Sequence, residues 1–62
     1  MYIYKFTITY TDGTVKNEWL CHKQNESIAD LKDRADNHLD EIEHGEPNVQ
    51  SVSMIRRTVP GI

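Results

Sequence analysis

Tyr2-Ile3-Tyr4-Lys5-Phe6-Thr7-Ile8-Thr9-Tyr10, then Thr11-Asp12-Gly13-Thr14, then Val15-Lys16-Asn17-Glu18-Trp19-Leu20-Cys21-His22: this stretch decides the fold. Two runs of alternating residues flank an Asp-Gly pair, the strongest short-range signal of a β-hairpin. A two-residue type I′ turn at Asp12-Gly13 needs positive φ at both positions, which Gly adopts freely and Asp tolerates. That turn sets Thr11 opposite Thr14 and Tyr10 opposite Val15, then Ile8 opposite Asn17, Phe6 opposite Trp19 and Tyr4 opposite Cys21. One face then carries Tyr4, Phe6, Ile8, Tyr10, Val15, Trp19 and Cys21. The other carries Ile3, Lys5, Thr7, Thr9, Lys16, Glu18, Leu20 and His22. Asn17 is a misfit on the apolar face, explained by a place at the sheet edge or by a bulge.

Beyond the hairpin the period changes. Ser27-Ile28-Ala29-Asp30 reads as a partial capping box, although Asn25 could cap instead. Ile28, Leu31, Ala35, Leu39 and Ile42 recur at spacings of three and four, a narrow helical stripe that predicts a helix over about 27–44. Gly45 is placed for a left-handed C′ residue, and Pro47 forbids continuation. Residues 49–59 read as a third strand of imperfect alternation. Val52 and Met54 share one face, read as inward; Val49, Ile55 and Val59 share the other, unless a bulge intervenes. Pro60-Gly61-Ile62 ends the strand in a short tail.

The expected fold is therefore α+β, one ββαβ domain spanning residues 1–62. Strand 1 covers about 2–11, strand 2 about 14–22 and strand 3 about 49–59. The sheet is three-stranded and antiparallel in the order 2-1-3, with a right-handed crossover and the helix on one face. The other face is left bare.

With 62 residues the chain is one small domain with a modest core. Its one cysteine, Cys21, allows no internal disulfide and points to a reducing compartment. No stretch has the length and apolarity of a membrane span, and no leader precedes the first strand, so a cytoplasmic protein is expected. Charge is unevenly spread. Between Glu26 and Glu46 stand Glu26, Asp30, Asp33, Asp36, Asp40, Glu41, Glu43 and Glu46 against Lys32 and Arg34. Elsewhere Asp12 and Glu18 face Lys5, Lys16, Lys23, Arg56 and Arg57.

Chemistry-bearing constellations are sparse. Cys21, His22, His38 and His44 are the only soft metal ligands and lack metal-ligand spacing, so neither a metal site nor a cofactor is expected. Adjacent Cys21 and His22 point to opposite faces of a strand and cannot form a nucleophilic pair. No catalytic residue is assigned.

Two surfaces carry the functional expectation. On the helix, Asp33, Asp36, Asp40 and Glu43 lie off the apolar stripe. They read either as a solvated face or as a carboxylate row imitating a nucleic-acid backbone to a partner protein. On the bare sheet face, Ile3, Lys5, Leu20, Ile55 and Arg57 combine apolar area with a basic rim, an interface character. Nucleic acid is disfavoured because the aromatic residues are assigned beneath the helix, although Lys5, Lys16, Arg56 and Arg57 keep that alternative open. Strands 2 and 3 are both edges, so Val49 to Arg57 could pair with a second copy or with a partner strand.

The order of elements, and the closing run Val52-Ser53-Met54-Ile55-Arg56-Arg57-Thr58-Val59-Pro60, resembles the T7-type phage inhibitors of bacterial RNA polymerase. The layout is also similar to the small phage inhibitors of uracil-DNA glycosylase, which are DNA-mimicking dimers. The resemblance covers the whole chain and is topological, with no residue-by-residue correspondence. It implies a compact, non-catalytic protein that binds and blocks a host macromolecule in the bacterial cytoplasm.

Overall fold

The chain begins in β1 (Tyr2–Tyr10), turns into β2 (Val15–Cys21), crosses through α1 (Ile28–Gly45) and returns as β3 (Val49–Thr58). This is seen in a computed structural model, which describes residues 1–60; the expected tail at Gly61 and Ile62 lies outside the described residues. The sheet order is β2-β1-β3, with β1 antiparallel to both neighbours. The α+β architecture expected from the sequence is the one formed, and each element ends within a residue or two of its expected bounds.

β1 is central because it is the most apolar strand. Tyr4, Phe6 and Ile8 point to one side and are buried, meeting Leu31, Ala35 and Ile42 of α1. Phe6, Ile8, Leu31 and Ala35 are wholly inaccessible to solvent, so burial of β1 against α1 is the main apolar stabilisation. Tyr2, Tyr10, Leu20, Leu39, Val49, Val52 and Met54 are half-buried around this nucleus. Ile28, which opens the apolar stripe, stands 46% exposed at the start of the helix.

The hairpin register differs by one residue from the type I′ expectation. Thr9 faces Val15, Thr7 faces Asn17, Lys5 faces Trp19 and Ile3 faces Cys21. The cause is the turn. Gly13 N–H donates to Tyr10 O at 2.9 Å and Tyr10 N–H donates to Thr14 O at 2.9 Å, so the connection has three residues, Thr11 to Gly13. Such a loop needs positive φ only at its last position, met by Gly13 at +90°, and spares Asp12 a left-handed backbone. The Asp12 carboxylate is used instead as a local cap, accepting from the Thr14 amide at 2.9 Å and its hydroxyl at 2.6 Å. Those bonds hold the Asp12 carboxyl below its ordinary pKa.

A slip of one residue moves every β2 side chain to the other face. Trp19, Cys21 and Val15, expected in the core, lie on the side away from the helix. Leu20, expected on the bare face, is half-buried against the core, and Glu18 and His22 share its side. Asn17 ceases to be a misfit, because its Oδ1 accepts from the Thr7 hydroxyl at 3.1 Å on the open face.

At the helix entry, Ser27 is the N-cap: its Oγ accepts from the Asp30 amide at 3.0 Å. At the exit, Gly45 is the last helical residue rather than a left-handed C′. Glu46 follows with extended backbone, and Asn48, at φ 64°, supplies the left-handed residue before β3. Asn48 O accepts from the Thr11 amide at 2.8 Å, tying this loop to the hairpin. Val52 and Met54 face the helix as expected. A break in register at Thr9/Tyr10 pairs Tyr10 with Val49 and brings Val49 to the core side too.

Candidate functional site

α1 lies against β3 and β1. It reaches the outer strand β2 through long side chains. Arg34 donates to the Cys21 carbonyl at 2.7 Å and makes a two-pronged bond to Glu26 at 2.8 and 2.9 Å. This guanidinium, with the Lys23 amide, lowers the Glu26 carboxyl to about 2. His38 Nε2 donates to Glu18 Oε1 at 2.9 Å while its ring stands edge-on to Phe6, centroids 4.8 Å apart. Glu18 also takes Lys16 at 3.0 Å, and Lys16, then His38, holds its carboxyl below the ordinary range. These bonds seal the open side of the core.

Among the described residues, nothing covers the opposite side of the sheet in this way. Residues directly paired across the strands share a face, so the register arranges this surface in rows. Trp19, Lys5 and Ile55 form one row; Cys21, Ile3 and Arg57 form the next. Towards the hairpin turn follow Asn17, Thr7 and Ser53, then Val15, Thr9 and Ser51. Trp19 is 57% exposed, Ile55 48% and Val15 58%. The twelve residues of these rows include two cations, Lys5 and Arg57, and no carboxylate. The indole of Trp19, on the edge strand β2, is exposed beside Lys5 of the central strand, so this face combines aromatic, aliphatic and cationic groups.

Four of the five sheet residues expected from sequence, Ile3, Lys5, Ile55 and Arg57, are brought together on this face. Leu20 is not, for the reason given by the turn. Trp19 is the residue that sequence reading missed here, and Asn17 carried the signal, since a polar residue on a supposed core face argues for the other register.

The helix face is acidic and exposed, with Asp33, Asp36, Asp40 and Glu43 all turned to solvent. Two of these carboxylates are engaged locally, Asp36 with Lys32 at 3.3 Å and Asp40 with His44 at 3.1 Å. The row is thus interrupted by basic side chains of its own helix. At the end of the sheet where β1 starts, the Tyr2 ring stacks on His22 at 6.1 Å and carries the Arg56 guanidinium 4.8 Å above its centroid. His22 is fixed by two bonds, accepting from the Tyr2 amide at Nδ1 and donating from Nε2 to Glu26 O at 2.6 Å.

Among the described residues there is no enclosed pocket and no group of three or more potential metal ligands. Nor, among the described residues, is any helix long and apolar enough to cross a membrane. No protein-family model, curated protein or solved structure matches the chain.

Proposed function

We propose that this chain is a non-catalytic binding module that takes a protein partner on the open face of its sheet. The observation that supports this reading is the Trp19–Lys5–Ile55 row, an exposed aromatic anchor flanked by apolar and cationic side chains. Trp and Arg are among the residues that most often dominate interface energetics, and Trp19 on β2 and Arg57 on β3 stand one row apart on the two opposite edges of this face. The fitting partner surface is apolar with acidic groups, matching Lys5 and Arg57. The resemblance to small phage inhibitors adds that occupancy of this face blocks a bacterial protein. The acidic helix, on the far side, serves solubility and keeps nucleic acid and acidic proteins from that side.

The test is capture from bacterial lysate on immobilised protein, with three variants in parallel. A specific partner is expected on the wild type and on a helix variant with Asp33, Asp36 and Asp40 changed to Asn. It is expected to be lost from Trp19→Ala and reduced at least about tenfold in affinity by Lys5→Glu, as for removal of a hot-spot contact. Retention by Trp19→Ala together with loss from the helix variant would move the site to the acidic face.

A second reading has one specific observation in its favour: Trp19 shares a face with Lys5 and Arg57, the pairing of stacking and cationic groups that single-stranded nucleic acids use. Titration with oligodeoxynucleotides across salt separates the two. Quenching of Trp19 by the oligonucleotide, with a binding constant whose logarithm falls linearly with the logarithm of salt concentration, would favour nucleic acid.

A further inference from the structure

β2 and β3 are the edges of the sheet, and they are unequally protected. β2 is short, and its helix-side positions carry the charged pair Lys16 and Glu18, the kind of inward-facing charge that keeps edge strands from pairing. β3 is the longest strand, Val49 to Thr58. From Gln50 to Ile55 it has no charge and no proline, and its register with β1 is unbroken from Ser51 to Thr58. Its helix-side residues Val52 and Met54 are only half-buried, because β3 is the edge of the sheet among the described residues.

We propose that the β3 edge pairs with the β3 edge of a second copy of this chain, antiparallel, about a two-fold axis at Ser53. The argument is self-complementarity. With the axis perpendicular to the sheet, both copies keep their helices on the same side, so paired residues must share a face and the axis must pass through a residue. An axis at Ser53 sets Val52 opposite Met54 twice, completing the half-covered apolar rim beneath the two helices. Ser51 then meets Ile55, and Gln50 meets Arg56. The two arginines of each copy fall at opposite ends of the interface, so no like charges face each other. Moving the axis to Met54 would oppose Val52 to Arg56. Moving it to Val52 would oppose Met54 to the polar Gln50 on the apolar rim. The product is one six-stranded sheet, β2-β1-β3-β3-β1-β2, with both open faces on the same side and a Trp19 near each outer margin. This inference stands on the strand edge and is independent of what the open face binds.

Ser53 is exposed on the open face and outside the core, so charge placed there tests the axis without touching the fold. Sedimentation of the wild type is expected to give twice the 7.2 kDa chain mass. Ser53→Glu and Ser53→Lys should each raise the dimer dissociation constant roughly fivefold or more, by setting like charges directly opposite. An equimolar mixture of the two should recover the dimer, because the charges across the axis become opposite. With Cys21→Ser removing the native thiol, Ser53→Cys should cross-link to itself on oxidation, and unchanged circular dichroism verifies that each variant is folded. A wild type that stays monomeric at millimolar concentration overturns the proposal. So does a dimer that is indifferent to both charged variants and dissociates with Trp19→Ala, which would locate the contact on the open face.

Discussion

Glu26 shows how one side chain outside any motif can hold two elements together. It precedes the N-cap Ser27, yet its carboxylate takes both the Arg34 fork from α1 and the Lys23 amide, while Arg34 reaches on to the β2 backbone at Cys21. The loop between β2 and α1 is thereby fixed at both ends by one ion pair. The folded carboxyl is lowered from 4.5 to about 2, first by the Arg34 bonds and then by the Lys23 amide. A depressed acid favours the folded state wherever the unfolded carboxyl is ionised. This contribution is therefore complete above about pH 5 and is lost as pH falls from there towards 2. Thermal melts of wild type and Glu26→Gln across this window should converge at the acid end and separate towards neutrality, with the variant the less stable. Parallel curves would show that the pair adds nothing. None of this was legible beforehand, because Arg34 sits eight residues from Glu26 and reads from sequence as one more cation on an acidic helix.

Most of the secondary elements and their order could be read from the chain because several independent signals agree on each. The helix has a Ser27 cap, a stripe at spacings of three and four, and Pro47 beyond its end; β3 is oriented by Val52 and Met54 alone. The hairpin register could not be settled in the same way. Asp12-Gly13 is compatible with a two-residue and a three-residue connection, and only the left-handed penalty at Asp12 separates them. β2 itself is nearly indifferent, since Val15, Trp19 and Cys21 alternate with Leu20 and His22, and each face contains one strong apolar residue. What decides is the partner layer. α1 covers β1 and β3, so the outer strand has room for a leucine at the core margin and for Glu18 and Lys16 at the rim. Mutational cost should follow that geometry. Leu20→Ala is expected to lower stability by about 1–2 kcal/mol, less than for a fully buried leucine, and Trp19→Ala by less than about 1 kcal/mol. Urea midpoints measure both, and the reverse ranking would place Trp19 in the core.

As a whole the molecule is a thin slab, 39 × 21 × 12 Å along its principal axes. Its radius of gyration is 12.7 Å, against about 11 Å for a compact domain of this length. One layer of helix covers one side of one sheet, so the two broad surfaces are chemically opposite: carboxylates on the helix, and an indole, aliphatics and two cations on the sheet. Sequence reading anticipated that opposition and four of the residues on the sheet side, but it put the only tryptophan in the wrong layer. That single displacement adds a large exposed aromatic group to a sheet face that otherwise carries scattered aliphatics and two cations. Because the chain has one tryptophan, its fluorescence reports on this face alone. The most direct measurement is collisional quenching of Trp19 in the free protein by iodide and by caesium at low ionic strength. An open, cationic face predicts emission of a water-exposed indole, ready quenching by iodide and weaker quenching by caesium, with the difference fading as salt screens Lys5 and Arg57. Blue-shifted emission protected from both ions would mean that the indole lies beneath the helix, and would contradict both the register and the binding face built on it.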